Sequence, residues 1–537
     1  MTLAQTVESQ QITGTVTDST GALIAGAQIV VANTATGLSR TVTSNQDGIY
    51  NALNIPVGTY TITTTMQGFK KSVITGVNVD VGAKPAVLIA LAVGLVDESV
   101  EVKADTMQIQ TTSAEIGAVI TSQQATQIQL NGRNYIQLLT LQPGVSQTVA
   151  SGFNIFGTYG ANGNSQSVNG IRTDSANFFI DGVDNKDNGG GGNNFVNISP
   201  DALQQFRNVA SSYDASYGGT SGATVSVAVR SGGKDFHGVA YEYFRNDAIQ
   251  AYQFIPIGGA VVKPPLRYNN FGYTVGGPLY IPGHFNTRKD KLFFFWAQDF
   301  KRVRTSSIGS YSVPTPAALA TALAGPTTAT GRALAATLLT SPTGNFSYLN
   351  ENPSNQQEYL VKVDYNLNEK NQINGHFVHD AYTNVGNPTN FIIFQRRLPG
   401  LTASVQWTHT FNSKTVNTIV SSYSGNIIYE TDGIGANPQF NKSVLRSDYG
   451  LNYATLYNAS TYIPQIAITG YTLPSTTPLA FNNYQRIYAG KDDFSRILGE
   501  SRCQNGCLCV ARSQEPDCST RTEWPVHLSK PGFACPG

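Results

Sequence analysis

Charge is what this chain of 537 residues has least of. Asp, Glu, Lys and Arg together make up 13% of it, about half the share found in an average soluble domain. The signs nearly cancel, 35 basic against 34 acidic residues. Such a balance carries no footprint for a polyanion, so no nucleic-acid partner is expected. Long apolar runs are also missing. A spanning helix needs roughly 18 or more such residues, and the closest approach, Pro85 to Val96, is shorter and is broken by Gly94. Helical spans are therefore unexpected. A membrane β-barrel stays open, because its strands need only about 9–11 alternating residues. No basic stretch and apolar core precede Ala4-Gln5, so MTLAQ reads either as a cytoplasmic start or as the stub of an export signal. Cysteine is absent until Cys503, as suits an exported protein that avoids stray thiols. The five that follow (Cys503, Cys507, Cys509, Cys518, Cys535) are odd in number and fit no standard zinc spacing. Residues 500–537 read as a tail foreign to the body, where strand alternation stops.

What the chain does have is Gly (52), Tyr (26) and Phe (25), the makings of a β-rich fold with many turns. From 11 to 95, short alternating runs such as Ala27 to Ala32 and Thr59 to Thr65 are punctuated by Asp18-Ser-Thr-Gly21, Asn33-Thr-Ala-Thr-Gly37 and Asn45-Gln-Asp-Gly48. Regular short strands with this punctuation predict a small β-sandwich. The run from Ile12 to Val31, followed by SNQDGIYNALNIPVGTYTITTTMQGF, resembles the carboxypeptidase-regulatory-like domain, an Ig-like sandwich common at the N-termini of outer-membrane receptors. No peptidase is implied, since none of the six histidines begins an HxxE motif.

Residues 96–111 read as a linker. Within it Asp97, Glu98, Ser99, Val100, Glu101 and Val102 alternate, so that an extended peptide could add to a partner's sheet edge. The segment resembles the TonB box, through which the TonB motor complex of the inner membrane pulls on a receptor. Residues 112–232 resemble the TonB-dependent receptor plug, with motifs in family order. LNGRN, containing Arg133, leads into an apolar helix and Gln142-Pro143-Gly144-Val145. Val168-Asn169-Gly170-Ile171-Arg172 precedes Phe179-Ile180-Asp181-Gly182-Val183-Asp184-Asn185. Ser199-Pro200 precedes Tyr213-Asp214-Ala215-Ser216-Tyr217-Gly218. Asp181-Gly182 predicts a tight turn after an apolar strand. Pro200 predicts the first turn of a short helix capped by Ser199, with Leu203 and Phe206 on one face. The resemblance makes Arg133 and Arg172 partners of barrel-wall carboxylates; ordinary surface arginines are the plainer reading. Asp181, Asp184, Asn185 and Asp187 suggest calcium but lack EF-hand spacing and its distal Glu, so no metal or cofactor is expected. Gly189 to Gly192 reads as a mobile loop, which the resemblance puts near the plug apex.

From 236 to 499 the pattern is period two. Tyr359-Leu-Val361-Lys-Val363-Asp-Tyr365 turns at Asn368 to Asn371 into Ile373 and Phe377, and Ala403 to His409 turns at Asn412 to Lys414 into Val416 to Val420. Alternation with short turns on one side and long loops on the other predicts an antiparallel transmembrane β-barrel, lipid taking the aromatic side and water the side of Lys362, Asp364 and Gln406. FHGVAYEYFRNDA, KPPLRYNNFGYTVGGPL and DKLFFFWAQDFKRVR resemble the first wall strands of Oar-like receptors. Tyr311 to Phe346 reads as an external loop with room for one helix. His376 and His379 should fall on opposite strand faces.

The fold class expected is thus mainly β: an Ig-like sandwich, an α/β plug and a partial barrel. Room exists for roughly ten strands against about 22 in the family's barrel, so a closed pore is not expected of this stretch. The function expected is TonB-energised uptake of an unidentified ligand at the outer membrane, with lipid and the TonB motor as partners. The alternative is a passive surface-binding or adhesive β-protein. A secreted hydrolase is disfavoured, because no paired carboxylates, Ser/His set or metal motif occurs at useful spacing.

Overall fold

A computed structural model describes residues 10–94, 99–103, 115–147, 166–187, 193–211, 221–249, 256–257, 260–261, 265–385, 392–436, 440–451, 463–464, 466–473, 481–498 and 501–517. Its first unit is the sandwich. Strands β1 (Gln11–Asp18), β2 (Gln28–Asn33), β3 (Ser39–Thr43), β4 (Ile49–Leu53), β5 (Gly58–Thr65), β6 (Lys71–Val79) and β7 (Ile89–Leu91) form two sheets over a shared core. The smaller is ordered β4-β1-β7, and the larger runs β3-β2-β5-β6. Alternation buries Ile12, Val16, Ile29, Val31 and Ile62 between them. Tyr50 and Tyr60 bury their rings and satisfy their hydroxyls on the carbonyls of Val87 (2.9 Å) and Pro56 (2.6 Å). Asn45 accepts the N–H groups of Asp47 and Ile49 and so shapes the turn into β4. Strand β8 (Ser99–Lys103) is the outermost member of the larger sheet, parallel to β6.

The plug begins with β9 (Ile116–Thr121) and α1 (Ser122–Gln127). Thr121 and Gln124 form a capping box at the helix start. A 3₁₀ turn over Tyr135–Leu141 buries Tyr135, Ile136, Leu138 and Leu139, while Leu141 is exposed. Then come β10 (Val145–Gln147), β11 (Gln166–Val168), β12 (Asn177–Ile180), β13 (Val183–Asp184), β14 (Lys186–Asp187), β15 (Asn193–Asn194), β16 (Leu203–Ser211) and β17 (Thr224–Val229). The main sheet is ordered β13-β12-β17-β16-β9.

One expectation fails here: the short helix after Pro200 is strand β16. A bulge between Leu203 and Gln205 inserts one residue, so Leu203 and Phe206 oppose Val229 and Val227. Both side chains therefore share the buried face, as they would on a helix. An apolar pair spaced i, i+3 has both solutions.

The wall is a single antiparallel sheet of nine strands. They are β18 (His237–Asn246), β21 (Leu266–Pro278), β22 (Leu292–Ser312), β23 (Asn345–Asn368), β24 (Asn371–Val385), β25 (Ile392–Asn412), β26 (Thr415–Ala436), β27 (Phe481–Leu498) and β28 (Ser501–Asp517). The small pair β19 (Pro256–Ile257) and β20 (Ala260–Val261) lies in the connection after β18. Among the described residues β18 and β28 each pair on one side only, so the sheet is open. Several strands exceed 20 residues, β22 with 21 and β23 with 24, where about 9–11 suffice to cross a bilayer. They project well beyond it. Short turns join Asn368 to Asn371 and Asn412 to Thr415 at one end, where Leu498 also pairs with Ser501. At the other, the connection after β22 carries two helices rather than one, α2 (Pro316–Ala324) and α3 (Ala329–Thr337). There Tyr311, Val313, Leu339, Tyr348, Phe440 and Val444 make a separate cluster.

A second difference concerns the segment after 499, where alternation was expected to stop. Residues 501–517 pair with β27 without a register shift, from Leu498↔Ser501 to Asn482↔Asp517. Pairing of this kind uses backbone groups and needs little from side chains. Cys507 and Cys509 are exposed on this strand. Cys518 and Cys535 lie outside the described residues.

Candidate functional site: the contact between plug and wall

Strand alternation sorts the wall into two faces. Phe271, Phe377, Val405, Trp407, Ile419 and Tyr488 stay exposed on the outer one. Phe293, Phe295, Leu360, Val378 and Ile487 point inward and are buried. Of these, Phe295, Leu360, Val378 and Ile487 belong to the same apolar cluster as the plug residues Tyr135, Phe178, Phe206 and Val227. The plug core and the inner wall are one packed body. His376 points inward and is buried, while His379 lies on the other face, bonded to the Gly400 carbonyl at 2.9 Å and stacked on Tyr359.

Polar groups of the same inward face hold plug backbone. Asp299, Glu358 and Asp380 stand opposite one another on β22, β23 and β24, all nearly inaccessible to solvent. Like charges side by side repel, so each needs donors. Asp299 receives the Asn270 amide (2.9 and 2.8 Å) and the Tyr241 hydroxyl (2.7 Å). Glu358 accepts the N–H of Ser199 at 3.0 Å, and Asp380 accepts that of Asn197 at 2.9 Å. Gln356 adds a bond to each Asp380 oxygen. Elsewhere Asn426 donates to Asp187 (2.7 Å) and Lys491 to the Gly182 carbonyl (2.6 Å).

Asp181 and Gly182 form the two-residue turn between β12 and β13, with φ of 45° and 78°, the positive values a tight hairpin turn requires. The turn presents the Asp181 carboxylate to Lys362 at 2.9 Å and His376 at 3.6 Å. Burial works to raise the Asp181 pKa, but Lys362 and His376 outweigh it and hold the carboxyl well below its usual range. Lys362 also donates to the Val229 carbonyl at 3.0 Å. Burial pushes the Asp184 carboxyl up, against the Lys186 N–H and Arg512.

Arg133 departs from its expected role. Its carboxylate partner is Asp201 of the plug itself rather than a wall residue. It reaches the wall by stacking over Tyr243 (4.0 Å) and Tyr241 (4.7 Å) and by a 3.4 Å bond to Asn270. Burial opposes its charge, yet Asp201 more than compensates and raises its pKa.

The other residues singled out from the sequence are scattered. Pro143 and Gly144 form an exposed turn, where Gly144 has φ +78° and its carbonyl accepts the N–H of Asn169 at 2.7 Å. Gly170 has φ +74°, and Arg172 is exposed beside it. Ser99, Val100, Glu101 and Val102 sit in β8, at the edge of the sandwich's larger sheet rather than in the plug–wall contact. Asp97, Glu98, Tyr217, Gly218 and the run Gly189 to Gly192 lie outside the described residues. Asp184, Asn185 and Asp187 are engaged by different protein groups: Asn185 grips the Val196 backbone at 2.9 and 3.0 Å, and Asp187 takes Asn426. Among the described residues no three acidic, His or Cys side chains come together as a metal site would need. Sequence reasoning missed Asp299, Glu358 and Asp380. Their inward strand parity was readable; that three would align needed the register.

This is the arrangement of an outer-membrane receptor, a plug seated against the inner face of a β-wall. Residues 228–515 match the outer membrane beta barrel domain, and the chain belongs to that family. Residues 110–225 match the TonB-dependent receptor plug domain, and residues 11–92 match the carboxypeptidase regulatory-like domain. The family match runs through most of β28, which places that strand with the wall. The chain is 25% identical over 314 residues to the TonB-dependent transporter Oar of Myxococcus xanthus, covering 55% of this chain and 27% of that protein. Solved structures of similar shape include the outer membrane transporter YddB of Escherichia coli, at 9% identity and TM-score 0.48, with 73% of this chain and 47% of that one covered. The siderophore receptor PirA of Acinetobacter baumannii has 12% identity and TM-score 0.36, with 74% and 58% covered. The chain thus spans about a quarter of the curated relative's length and about half of the first solved structure's.

Proposed function

We propose that the chain contributes the plug and part of the wall of a system for energised uptake across the outer membrane, with the plug as the gate and residues 97–104 as the handle of a TonB-type motor. The observation that carries this reading is the plug–wall contact. A packed apolar core shared by plug and wall bars passage, so the plug must shift before a ligand can move through. The ties between them suit such a shift. The N–H groups of Asn197 and Ser199 rest on wall carboxylates that water can satisfy once the plug leaves. The handle precedes β9 along the chain with no other plug element between them, so tension applied there reaches β9, at the edge of the plug sheet, first. Transport of this kind breaks no covalent bond and asks for no catalytic residues.

The test is a titration of the full chain, in detergent micelles, with the purified C-terminal domain of a TonB-type protein. Binding is expected. Val100→Pro combined with Val102→Pro should weaken it by about tenfold or more, because proline removes ladder donors from an adding strand. Binding that ignores both prolines, or no binding at all, contradicts the handle and favours a passive surface-binding protein.

A further inference from the structure

We propose that the N-terminal sandwich stores the motor's handle, so that the partner must strip β8 from β6 to engage it. This rests on the reading of residues 97–104 as that handle. Five consecutive residues of β8 pair in parallel with β6, from Lys71↔Ser99 to Thr75↔Lys103, without a shift. Without β8, β6 would be the bare edge of the larger sheet, with unpaired backbone donors and acceptors. Backbone groups of β8 committed to β6 cannot serve a second strand on that side.

The manner of attachment points to storage rather than permanent structure. Val100 and Val102 stand opposite Ser72 and Ile74, on the face of β6 that packs into the core. Yet they remain 40% and 48% exposed, whereas Ser72 and Ile74 are 6% and 8% exposed. Glu101 and Lys103 are exposed as well. The strand is held by its ladder and scarcely by burial. Backbone pairing can be exchanged for equivalent pairing with another strand, whereas buried side chains would first have to be uncovered. Among the described residues the second edge of β8 pairs with no other strand, which gives a partner its first contact. The sandwich is thereby given a task for which it needs no ligand pocket: it keeps a sticky strand covered until a competing edge takes it.

The register supplies the test. Val73→Cys with Glu101→Cys, in a full-length chain whose five native cysteines are changed to serine, places two thiols on directly paired residues. Adjacent strands lie about 4.8 Å apart, within the span a disulfide bridges. Two readouts are taken in detergent micelles. In the reduced chain, amide exchange at those alternate residues of 100–103 whose N–H points at β6 should be about tenfold or more slower than in a free peptide of residues 97–104. Exchange as fast as in the peptide overturns the proposal. The purified C-terminal domain of a TonB-type protein should bind the oxidised chain about tenfold or more weakly than the reduced chain, and reduction should restore binding. Equal affinity in both states overturns storage while leaving the handle in place. No binding in either state overturns the handle, and storage with it.

Discussion

Arg133 shows how narrowly buried charge within the plug is balanced. Its guanidinium is nine-tenths covered and, among the described residues, meets one carboxylate, Asp201, itself as covered. Removing one member of such a pair leaves the other buried without a counter-charge. Asp201→Ala should therefore cost about 3–5 kcal/mol, read as a lowered urea midpoint for the plug in the full chain. Asp181 makes a pH-dependent contribution. Its pKa is depressed in the folded state below the ordinary 3.8, so its stabilisation is present above that value and is lost as pH falls below it. Asp181→Asn should flatten the acid limb of a stability profile and leave the limb above pH 3.8 parallel to that of the parent chain. An unchanged acid limb would contradict the assignment. At this scale the Asp181-Gly182 turn was legible from two letters, because few dipeptides tolerate two successive positive φ angles. The partner of Arg133 was not, since Asp201 lies 68 residues away and only the folded plug joins them.

Among elements, periodicity was a better guide to strands than to what the strands meet. Alternation from His237 onward foretold the wall and its two faces. It did not foretell β16, because a bulge makes three-residue spacing serve a strand, nor β28, whose pairing owes little to side chains. Residues 99–103 were legible as an extended segment, but the edge they occupy was not, since β6 becomes an edge only when the sandwich closes. Turn geometry gives an element-scale prediction. Gly182 sits at φ 78°, where a Cβ costs about 1–2 kcal/mol. Gly182→Ala should destabilise the β12–β13 hairpin by that amount, seen as faster amide exchange at Val183 and Asp184 with the sandwich unaffected. Unaltered exchange would mean that the turn is not strained by a side chain.

For the whole molecule, the claim that matters most is that the wall's aromatic face lies in lipid while its other face holds the plug. Trp407 reports on it directly, being 42% exposed on the outer face, with its indole N–H donated to Asn371 at 3.1 Å. The chain has three tryptophans, so Trp296→Phe with Trp524→Phe leaves Trp407 as the single emitter. The measurement is its fluorescence after reconstitution of the full chain into vesicles, with brominated acyl chains as the lipid quencher and iodide as the aqueous one. Strong quenching by brominated lipid with little by iodide is the result predicted for a membrane wall. Strong quenching by iodide with none from the lipid would place that face in water and contradict the account.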